Sequence, residues 1–409
     1  MKRKILAFIL ALFGFLGCNG NSDDNADLLE FDDNIILHTK WPFPVGVAVP
    51  GAATSNASSS HNNALLASSN QHQFLKHFNV VVAENEMKPN QIMPTSSGGA
   101  YRWTNADALV NYAEANGKRI RGHVLIWHDQ TPDWFFNGSG SGGRATKAEL
   151  YGRMENHIET VFKKYGGRID TWDVCNEVVD HTAGGPRTDS KYTQIMADSG
   201  LTGINRYEYV LKAFEWARHY ANANGGGQNV KLYLTDFGIE RRFPGQSRSK
   251  IDDFEDLVNY LINNNAPIDG IGFQGHFRLY DHPVSDISTG IDRFAAKKRN
   301  DGKNLMVQIC ELDFSIFSSA KGDINSLSVS GNVLNERLSD LASTYRDFFN
   351  MFEEKYKSGK LDMVLIWGIA DGHSWLNNHP VSGRTDHPLL FNRNYKAKEA
   401  YKALVDNRD

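Results

Sequence analysis

The stretch RIDTWDVCNEVVD, residues 168 to 180, passes from a short apolar and β-branched run into an amide and a carboxylate, Asn176 and Glu177. A run of this length and composition is typical of a β-strand. Glu177 then stands at the end of the strand, where it is either an ordinary surface acid or part of a site assembled from distant segments. The same pattern recurs along the chain, and the recurrence decides between these two interpretations.

Further runs of this kind predict more strands, and longer amphipathic segments separate them. The predicted strands are 43–49, 79–83, 119–127, 168–175, 230–236, 268–276, 305–312 and 363–369. Helical periodicity is clearest in residues 105–117, 149–167, 206–224 and 338–356. Eight strands that alternate with helices in one domain predict the α/β class and a (β/α)8 TIM barrel more readily than an open sheet.

Polar and aromatic side chains mark the ends of seven of these strands. They are Glu84 with Asn85, Trp127 with His128, Asn176 with Glu177, Thr235 with Asp236, Gln274 with His276, Glu311 with Asp313, and Trp367. In a parallel barrel the carboxyl ends of the strands meet at one mouth, where such barrels carry their active sites. Amides, carboxylates and imidazoles suit the hydroxyl groups of a sugar, and indoles stack on its rings. The sequence therefore predicts one sugar site at this mouth.

The composition argues against several other classes of ligand. The 44 basic and 48 acidic residues leave a formal charge of -4, and no long basic run offers a phosphate-binding surface. We therefore expect no nucleic-acid partner. The chain contains no HExxH or CxxC motif, no P-loop and no dinucleotide fingerprint, so we expect no metal ion and no cofactor. We also expect a monomer.

The first residues have the pattern of an export signal. Three basic residues at positions 2 to 4 precede the apolar run ILAFILALFGFL, which is short for a membrane span and typical of a signal peptide. The run ends before Cys18 in a way that resembles a bacterial lipoprotein signal. We therefore expect cleavage after residue 17, lipidation of Cys18, and attachment at the cell surface or in the periplasm, with simple secretion as the alternative.

The rest of the chain divides simply. Residues 18–40 are acidic and polar and are predicted to form a tether, whereas residues 41–405 contain no comparable linker and are predicted to form one domain. Two cysteines fall inside this domain. We expect Cys175 to share a strand face with Glu177 and Cys310 to point away from the face of its neighbour Glu311, which argues against a disulfide bond between them.

Six segments resemble motifs of glycoside hydrolase family 10, and they occur along this chain in the same order as in the family. They are VVAENEMKP (81–89), GHVLIWHDQTPDW (122–134), WDVCNE (172–177), GIGFQGH (270–276), ICELDF (309–314) and WGIADGHSW (367–375). The resemblance extends from about Phe43 to Tyr401. It implies a retaining endo-β-1,4-xylanase on a (β/α)8 barrel that acts on xylan and xylo-oligosaccharides and needs no cofactor.

The resemblance implies that Glu177 is the general acid/base and Glu311 the nucleophile. Acetal cleavage needs such a pair in any case, because one carboxyl protonates the leaving oxygen while the other attacks the anomeric carbon. In the retaining geometry the two carboxyl groups lie ~5 to 5.5 Å apart. The family pattern further implies that His276 hydrogen-bonds the nucleophile with Asp313 behind it, and that Asn176 binds a sugar 2-hydroxyl.

The remaining site residues are also implied by the resemblance, as groups that bind the sugar chain. Those on its non-reducing side are Glu84, Asn85 and Lys88; those of the floor and wall are His123, Trp127, His128 and Gln130; Gln274 also binds the sugar chain, and Trp367 and Trp375 close over the sugar at the cleavage point. Taken singly, a strand-end histidine or tryptophan is more often structural, and Lys88 alone would be read as a solvated lysine. The set as a whole favours the functional interpretation.

The sequence departs from the family in one place and leaves two alternatives open. Where the family usually has Asn-Asp-Tyr, this chain has Thr235, Asp236 and Phe237, so we expect fewer hydrogen bonds on the leaving-group side. A metal-dependent hydrolase on the same barrel would require clustered histidine and aspartate ligands. A non-catalytic xylan-binding lipoprotein would tolerate the loss of either glutamate, whereas both are present.

Overall fold

The computed structural model describes residues 35–49, 70–140, 142–180, 184–242 and 248–406. The predicted signal peptide, Cys18 and most of the predicted tether lie outside these ranges. The strands are β1 Val45–Val49, β2 Val80–Ala83, β3 Arg119–Gly122, β4 Ile126–Trp127, β5 Thr171–Asn176, β6 Lys231–Asp236, β7 Gly270–Phe273, β8 His276–Arg278, β9 Met306–Ser315 and β10 Leu361–Ile366.

Helices follow most of these strands. They are α1 Pro89–Ile92, α2 Thr104–Ala115, α3 Lys147–Tyr165, α4 Lys191–Asp198, α5 Glu208–Ala223, α6 Lys250–Asn263, α7 Val284–Ala295, α8 Gly331–Lys357 and α9 Glu399–Val405. Short 3-10 helices span Leu37–Lys40, Asn70–His77, Asp133–Phe136, Gly166–Arg168, Gly203–Tyr207, Gly227–Asn229, Asp371–His373 and Trp375–Asn377. The four helices predicted from periodicity are all present.

Eight parallel strands close into a barrel, which confirms the predicted fold class. Their order is β10-β1-β2-β3-β5-β6-β7-β9, and β9 pairs with β10 to complete the ring. Two predicted strands are each interrupted: 119–127 gives β3 and β4, and 268–276 ends at Phe273 before β8 begins. In the second case Gly275 adopts a φ of 80°, a left-handed conformation that ends an extended strand.

The helices pack against the outside of the barrel through their apolar faces. In α3 the buried side chains include Leu150, Met154, Ile158 and Val161, spaced three or four residues apart as one helical face requires. Its start is set by a capping box between Thr146 and Glu149, which satisfies backbone N–H groups that the helix leaves free. Local sequence therefore determines where this helix begins and which face it buries.

Residues just before the predicted boundary at residue 41 pack against the barrel domain. Leu37 is completely buried in the core. The Tyr401 hydroxyl donates to the carbonyl of Ile35 (2.9 Å), and Trp41 Nε1 donates to the carbonyl of Leu404 (3.1 Å). An apolar segment at the end of the polar tether thus docks against α9. Among the described residues, no helix is both long and apolar enough to span a membrane.

The expected orientation of Cys175 is wrong. The pairing of β5 with β6 shifts register between Asp173 and Cys175, and such a bulge breaks the two-residue alternation of a strand. Cys175 lies in the core near Tyr192 of α4 and Tyr209 of α5, while Asn176 and Glu177 both reach Gln274 at the mouth. Cys175 and Cys310 are both free and buried.

Candidate active site

Glu177 stands immediately after β5 in an unusual backbone conformation. Its φ is 55°, a left-handed value that costs a residue other than glycine on the order of 1 to 3 kcal/mol. The N–H group of Glu177 donates to the carbonyl of Thr235 at 2.9 Å. Such strain persists only where neighbouring structure enforces it, and it commonly marks functional sites. The turn directs the carboxyl group toward the mouth of the barrel.

The environment of the Glu177 carboxyl favours its protonated form. Burial raises its pKa, and the negative charges of Asp236 and Glu311 raise it further. Gln274 acts in the opposite direction, because its Nε2 donates to Glu177 Oε1 at 2.9 Å. The same Nε2 lies 3.2 Å from Asn176 Oδ1. The pKa of Glu177 is raised overall, as a proton donor at moderate pH requires.

Glu311, buried in β9, has the opposite environment. Burial alone would raise its pKa, but a hydrogen bond from His276 and the charge of His123 outweigh burial and lower the pKa. His276 Nε2 lies 3.1 Å from Glu311 Oε2, and His123 Nδ1 lies 4.0 Å from Oε1. Glu311 is therefore held as a carboxylate.

A second carboxylate keeps His276 charged. Asp313 Oδ2 lies 3.0 Å from His276 Nδ1 and accepts a 2.8 Å hydrogen bond from Trp375 Nε1. Burial lowers the pKa of His276, but Asp313 and Glu311 outweigh burial and raise the pKa to about 10. The predicted series of contacts, from Glu311 to His276 and from His276 to Asp313, is thus present.

The structure brings the other predicted residues to the same mouth. On one side, Lys88 Nζ donates to Asn85 Oδ1 (2.9 Å) and lies 5.0 Å from the centre of the Trp127 ring. Beside them, burial raises the pKa of Glu84 to about 7, although the charge of Lys88 opposes this shift. On the other side, ring centres are 5.5 Å apart for His123 with Trp367 and 4.8 Å apart for His276 with Trp375.

Two residues complete the wall next to Trp127. Burial, assisted by the charge of Arg187, lowers the pKa of His128 to about 4, so this imidazole is neutral at moderate pH. Gln130 has a φ of 45°, and its carbonyl accepts the N–H group of Asn90 at 2.7 Å. The mouth therefore joins two carboxyl groups, whose pKa values are shifted in opposite directions, to a row of amides, imidazoles and indoles. The distance between the two carboxyl groups remains a prediction.

Comparison with known sequences identifies the family. The sequence profile of the family described as "Glycosyl hydrolase family 10" matches residues 46–407. This chain belongs to glycosyl hydrolase family 10. The resemblance deduced from the six segments is thereby confirmed.

Relatives within family 10 cover most of this chain. Endo-1,4-beta-xylanase C of Paenibacillus barcinonensis is 39% identical over 334 residues, which are 81% of this chain and 28% of that longer protein. Endo-1,4-beta-xylanase A of Halalkalibacterium halodurans is 34% identical over 353 residues, or 82% of this chain and 80% of the relative. A solved family 10 structure from Paenibacillus barcinonensis has a TM-score of 0.75 and 36% identity, with 89% of this chain and 94% of that one covered.

The two residues that depart from the family pattern, Thr235 and Phe237, have different surroundings in the structure. Thr235 is completely buried, and its hydroxyl donates to Asp173 inside the barrel. Its side chain therefore lies in the interior of the barrel. Phe237 lies under Lys250, whose Nζ is 3.6 Å from the ring centre. Thr235 is thus fully buried, whereas Phe237 is partly exposed.

Sequence reasoning missed a buried pair beneath the cleft. Arg121 and Asp173, both completely buried, form a two-pronged ion pair, and Asp173 Oδ2 lies 2.8 Å from His123 Nδ1. Arg121 Nε also donates to Gln308 Oε1 at 3.1 Å. Charged residues inside otherwise apolar strand runs were the available signal, because such residues are buried only when paired.

The described part of the chain contains no group of three or more histidine, cysteine, aspartate or glutamate side chains arranged to hold a metal ion.

Proposed function

We infer that this chain is an endo-1,4-β-xylanase that hydrolyses internal β-1,4-xylosidic bonds of xylan with retention of configuration. The observation that carries this inference is the pair Glu177 and Glu311, whose environments move their pKa values in opposite directions. Oppositely shifted carboxyls supply the acid and the nucleophile that acetal cleavage needs. Family membership and the names of the relatives support xylan as the substrate.

In the first step Glu311 attacks the anomeric carbon while Glu177 protonates the leaving oxygen. The C–O bond to the leaving sugar breaks, and a glycosyl ester forms on Glu311. Glu311 Oε1 is buried and has no hydrogen-bond partner among the described residues, so this oxygen is the one available for attack. His276, itself held by Asp313, donates a hydrogen bond to the other oxygen and stabilises the carboxylate form.

In the second step Glu177 acts as a base toward water, which displaces Glu311 from the sugar. Ester formation neutralises Glu311, and the charge of Glu311 is one of the causes that raise the pKa of Glu177. The pKa of Glu177 therefore falls in the intermediate, and the residue can accept a proton from water. Two displacements restore the original anomeric configuration.

The polar groups around this pair bind the sugar chain. We propose that Glu84, Asn85 and Lys88 hold it on the non-reducing side, with Trp127 and His128 as the wall. Asn176 binds the 2-hydroxyl next to the cleaved bond, where a hydrogen bond gains strength at the transition state. The remaining proposed contacts are His123, Gln130, Trp367 and Trp375, whereas Gln274 acts through its hydrogen bond to Glu177.

The stereochemistry of the first product tests this function. Xylan is incubated with the enzyme in deuterated water, and proton NMR follows new reducing ends from the earliest minutes. We expect β-anomers first, followed by mutarotation to the equilibrium mixture. Early α-anomers would contradict the double displacement, and binding without cleavage would support a non-catalytic xylan-binding protein. Soluble cellulose is the comparison substrate, because a relative from Thermoclostridium stercorarium, 34% identical, is named a "Thermostable celloxylanase".

Replacing His276 with alanine is expected to move the acid limb of the pH profile of kcat/KM to higher pH. The nucleophile must be ionised, and the hydrogen bond from His276 is the largest contribution that lowers the pKa of Glu311. Without it, Glu311 is protonated, and activity is lost, at a higher pH than in the wild type. His219→Ala, a change of an exposed histidine on α5, is the control. An unmoved limb in a folded His276→Ala variant would rule out this role.

We propose further that the protein is exported, acts as a monomer, and is anchored through Cys18, with a short tether before a single catalytic domain. The basic residues and apolar run before Cys18 support this proposal. Cells that express the full chain and are fed an alkyne-labelled fatty acid should yield a labelled, membrane-associated protein. Cys18→Ser should abolish the label; an unlabelled wild-type protein in the medium would instead indicate secretion.

A further inference from the structure

A buried ion pair that the reaction scheme does not use lies behind the proposed acid/base. Lys250 Nζ is 2.6 Å from Asp236 Oδ1, and the two side chains are 5% and 0% exposed. The ammonium also lies over the ring of Phe237. Removing two charges from water is costly unless each compensates the other. A role that requires both charges is therefore the first explanation to consider.

Asp236 ties the segment that carries Glu177 to the end of β6. Asp236 Oδ2 accepts the N–H group of Val179 at 3.1 Å, and Oδ1 accepts that of Phe237 at 2.9 Å. The N–H group of Glu177 donates to the carbonyl of Thr235. The last two residues of β6 thus hold the segment 177–179 at two points, at Glu177, which has the left-handed φ, and at Val179.

Lys250 occupies a helix position that its charge does not favour. It is the first residue of α6, whose start is set by a capping box between Ser249 and Asp252. The partial positive charge at a helix N-terminus favours acids such as Asp252 and Asp253 and disfavours a lysine. The helix therefore gains nothing from the ammonium at this position. Its contact with Asp236 supplies the reason for its presence.

Charged groups act on Glu177 from several neighbouring elements. Asp236 from β6 and Glu311 from β9 carry negative charges near it, and Arg187 from the loop after β5 interacts with Glu177 and Asp236. Arg187 also forms a 2.8 Å ion pair with Asp189. Asp236 is thus a negative charge close to the proposed acid, and the ammonium of Lys250, which also acts on the buried Glu240, is paired with it.

We propose that Lys250 and Asp236 form a positioning unit for the acid/base: Asp236 holds the backbone that follows Glu177, and Lys250 balances the charge that this contact brings next to the Glu177 carboxyl. The proposal rests on the proposed function of Glu177. Lys250 is a positioning residue, because it acts through Asp236 and touches neither substrate nor the reacting atoms. Asp236 can then anchor the segment without excessive repulsion of the ionised form of Glu177.

The test is the alkaline limb of the pH profile of kcat/KM, which reports loss of the proton from Glu177. Lys250→Met removes a positive charge, so the limb should move to higher pH by on the order of one unit. Asp236→Asn removes a negative charge and should move the limb to lower pH. Lys250→Arg should keep the wild-type limb. The double variant Asp236→Asn/Lys250→Met should return the limb close to its wild-type position.

The controls separate this role from a merely structural one. Lys164→Met breaks a 2.8 Å ion pair with Asp107 on the outer helices and should leave the limb in place. The single variants leave a buried charge unpaired and can lose stability, whereas the double variant and Lys250→Arg do not, so thermal unfolding is measured for all of them. Loss of stability without any movement of the limb would overturn the proposal.

The assay also keeps this proposal distinct from the proposed function. The wild type is first shown to cleave xylan; failure at that stage contradicts the xylanase assignment itself. If the wild type is active and the Lys250→Met variant is active with an unchanged alkaline limb, only the positioning role is overturned. A shifted limb that the double variant does not restore also overturns it, because charge balance then cannot be the cause.

Discussion

Glu311→Ala abolishes turnover of both xylan and an aryl xylobioside with an activated leaving group. The expected loss in kcat is comparable to that on removal of a protease nucleophile, on the order of 10⁶-fold. Both substrates fail because each needs the carboxylate to form the glycosyl ester, however well its leaving group departs. The lowered pKa of Glu311 and its contact with His276 identify it as the ionised member of the pair.

Added azide tests the same role of Glu311 through the configuration of the product. The small anion can enter the space that the Glu311 carboxylate leaves and attack the activated substrate directly. A single displacement then gives the inverted glycosyl azide, which NMR distinguishes from the retained one. A retained azide would contradict Glu311 as the nucleophile. Glu155→Ala, a change of a glutamate on α3 remote from the mouth, is the control and should retain full activity.

Glu177→Ala has an effect that depends on the leaving group. Xylan is expected to lose roughly 10²- to 10⁴-fold in kcat/KM, the usual contribution of a general acid. An activated aryl xylobioside departs without protonation, so its ester formation should be nearly unchanged. The measurement is the ratio of kcat/KM for the two substrates in variant and wild type. Equal losses on both would contradict Glu177 as the acid.

The same variant also tests the second step. Without Glu177 no base activates water, so the glycosyl ester should accumulate on the activated substrate and give a burst followed by slow turnover. Azide needs no base and should restore turnover, now with the retained glycosyl azide as product. The two alanine variants therefore predict azides of opposite configuration. Identical configurations from both would show that the roles of the two glutamates are wrongly assigned.

The family 10 barrel and most of its site could be predicted from local patterns. Short β-branched runs and amphipathic segments alternate over eight repeats, which favours a closed parallel barrel over an open sheet, and the eight predicted strands overlap those observed. The carboxyl ends of parallel strands meet at one mouth, so polar residues at the ends of different strands are expected to be neighbours in space. Glu177 and Glu311 were both among these strand-end residues, although 134 positions separate them in the sequence, and the resemblance to the family then implied that they are the catalytic pair.

Side-chain orientations predicted from the two-residue period of a strand were wrong where a strand is irregular. The bulge in β5 turns Cys175 toward the helices, and the left-handed φ of Glu177 directs its carboxyl to the mouth. Nothing within these few residues specifies either feature. The hydrogen bonds from Glu177 to Thr235 and from Val179 to Asp236 enforce them, and both partners belong to the next strand of the barrel.

By itself, then, the sequence determined the barrel and its mouth, because hydrophobic periodicity and strand ends are properties of neighbouring residues, and the resemblance to family 10 implied which two glutamates form the catalytic pair. Only the tertiary structure decided the directions in which their pKa values shift and the buried ion pairs that support the site. The pKa values of Glu177 and Glu311 depend on burial and on charges from other strands, and the pairs of Arg121 with Asp173 and of Lys250 with Asp236 are likewise contacts between distant segments. Electrostatic energy depends on distance in space and on burial, and the folded barrel determines both.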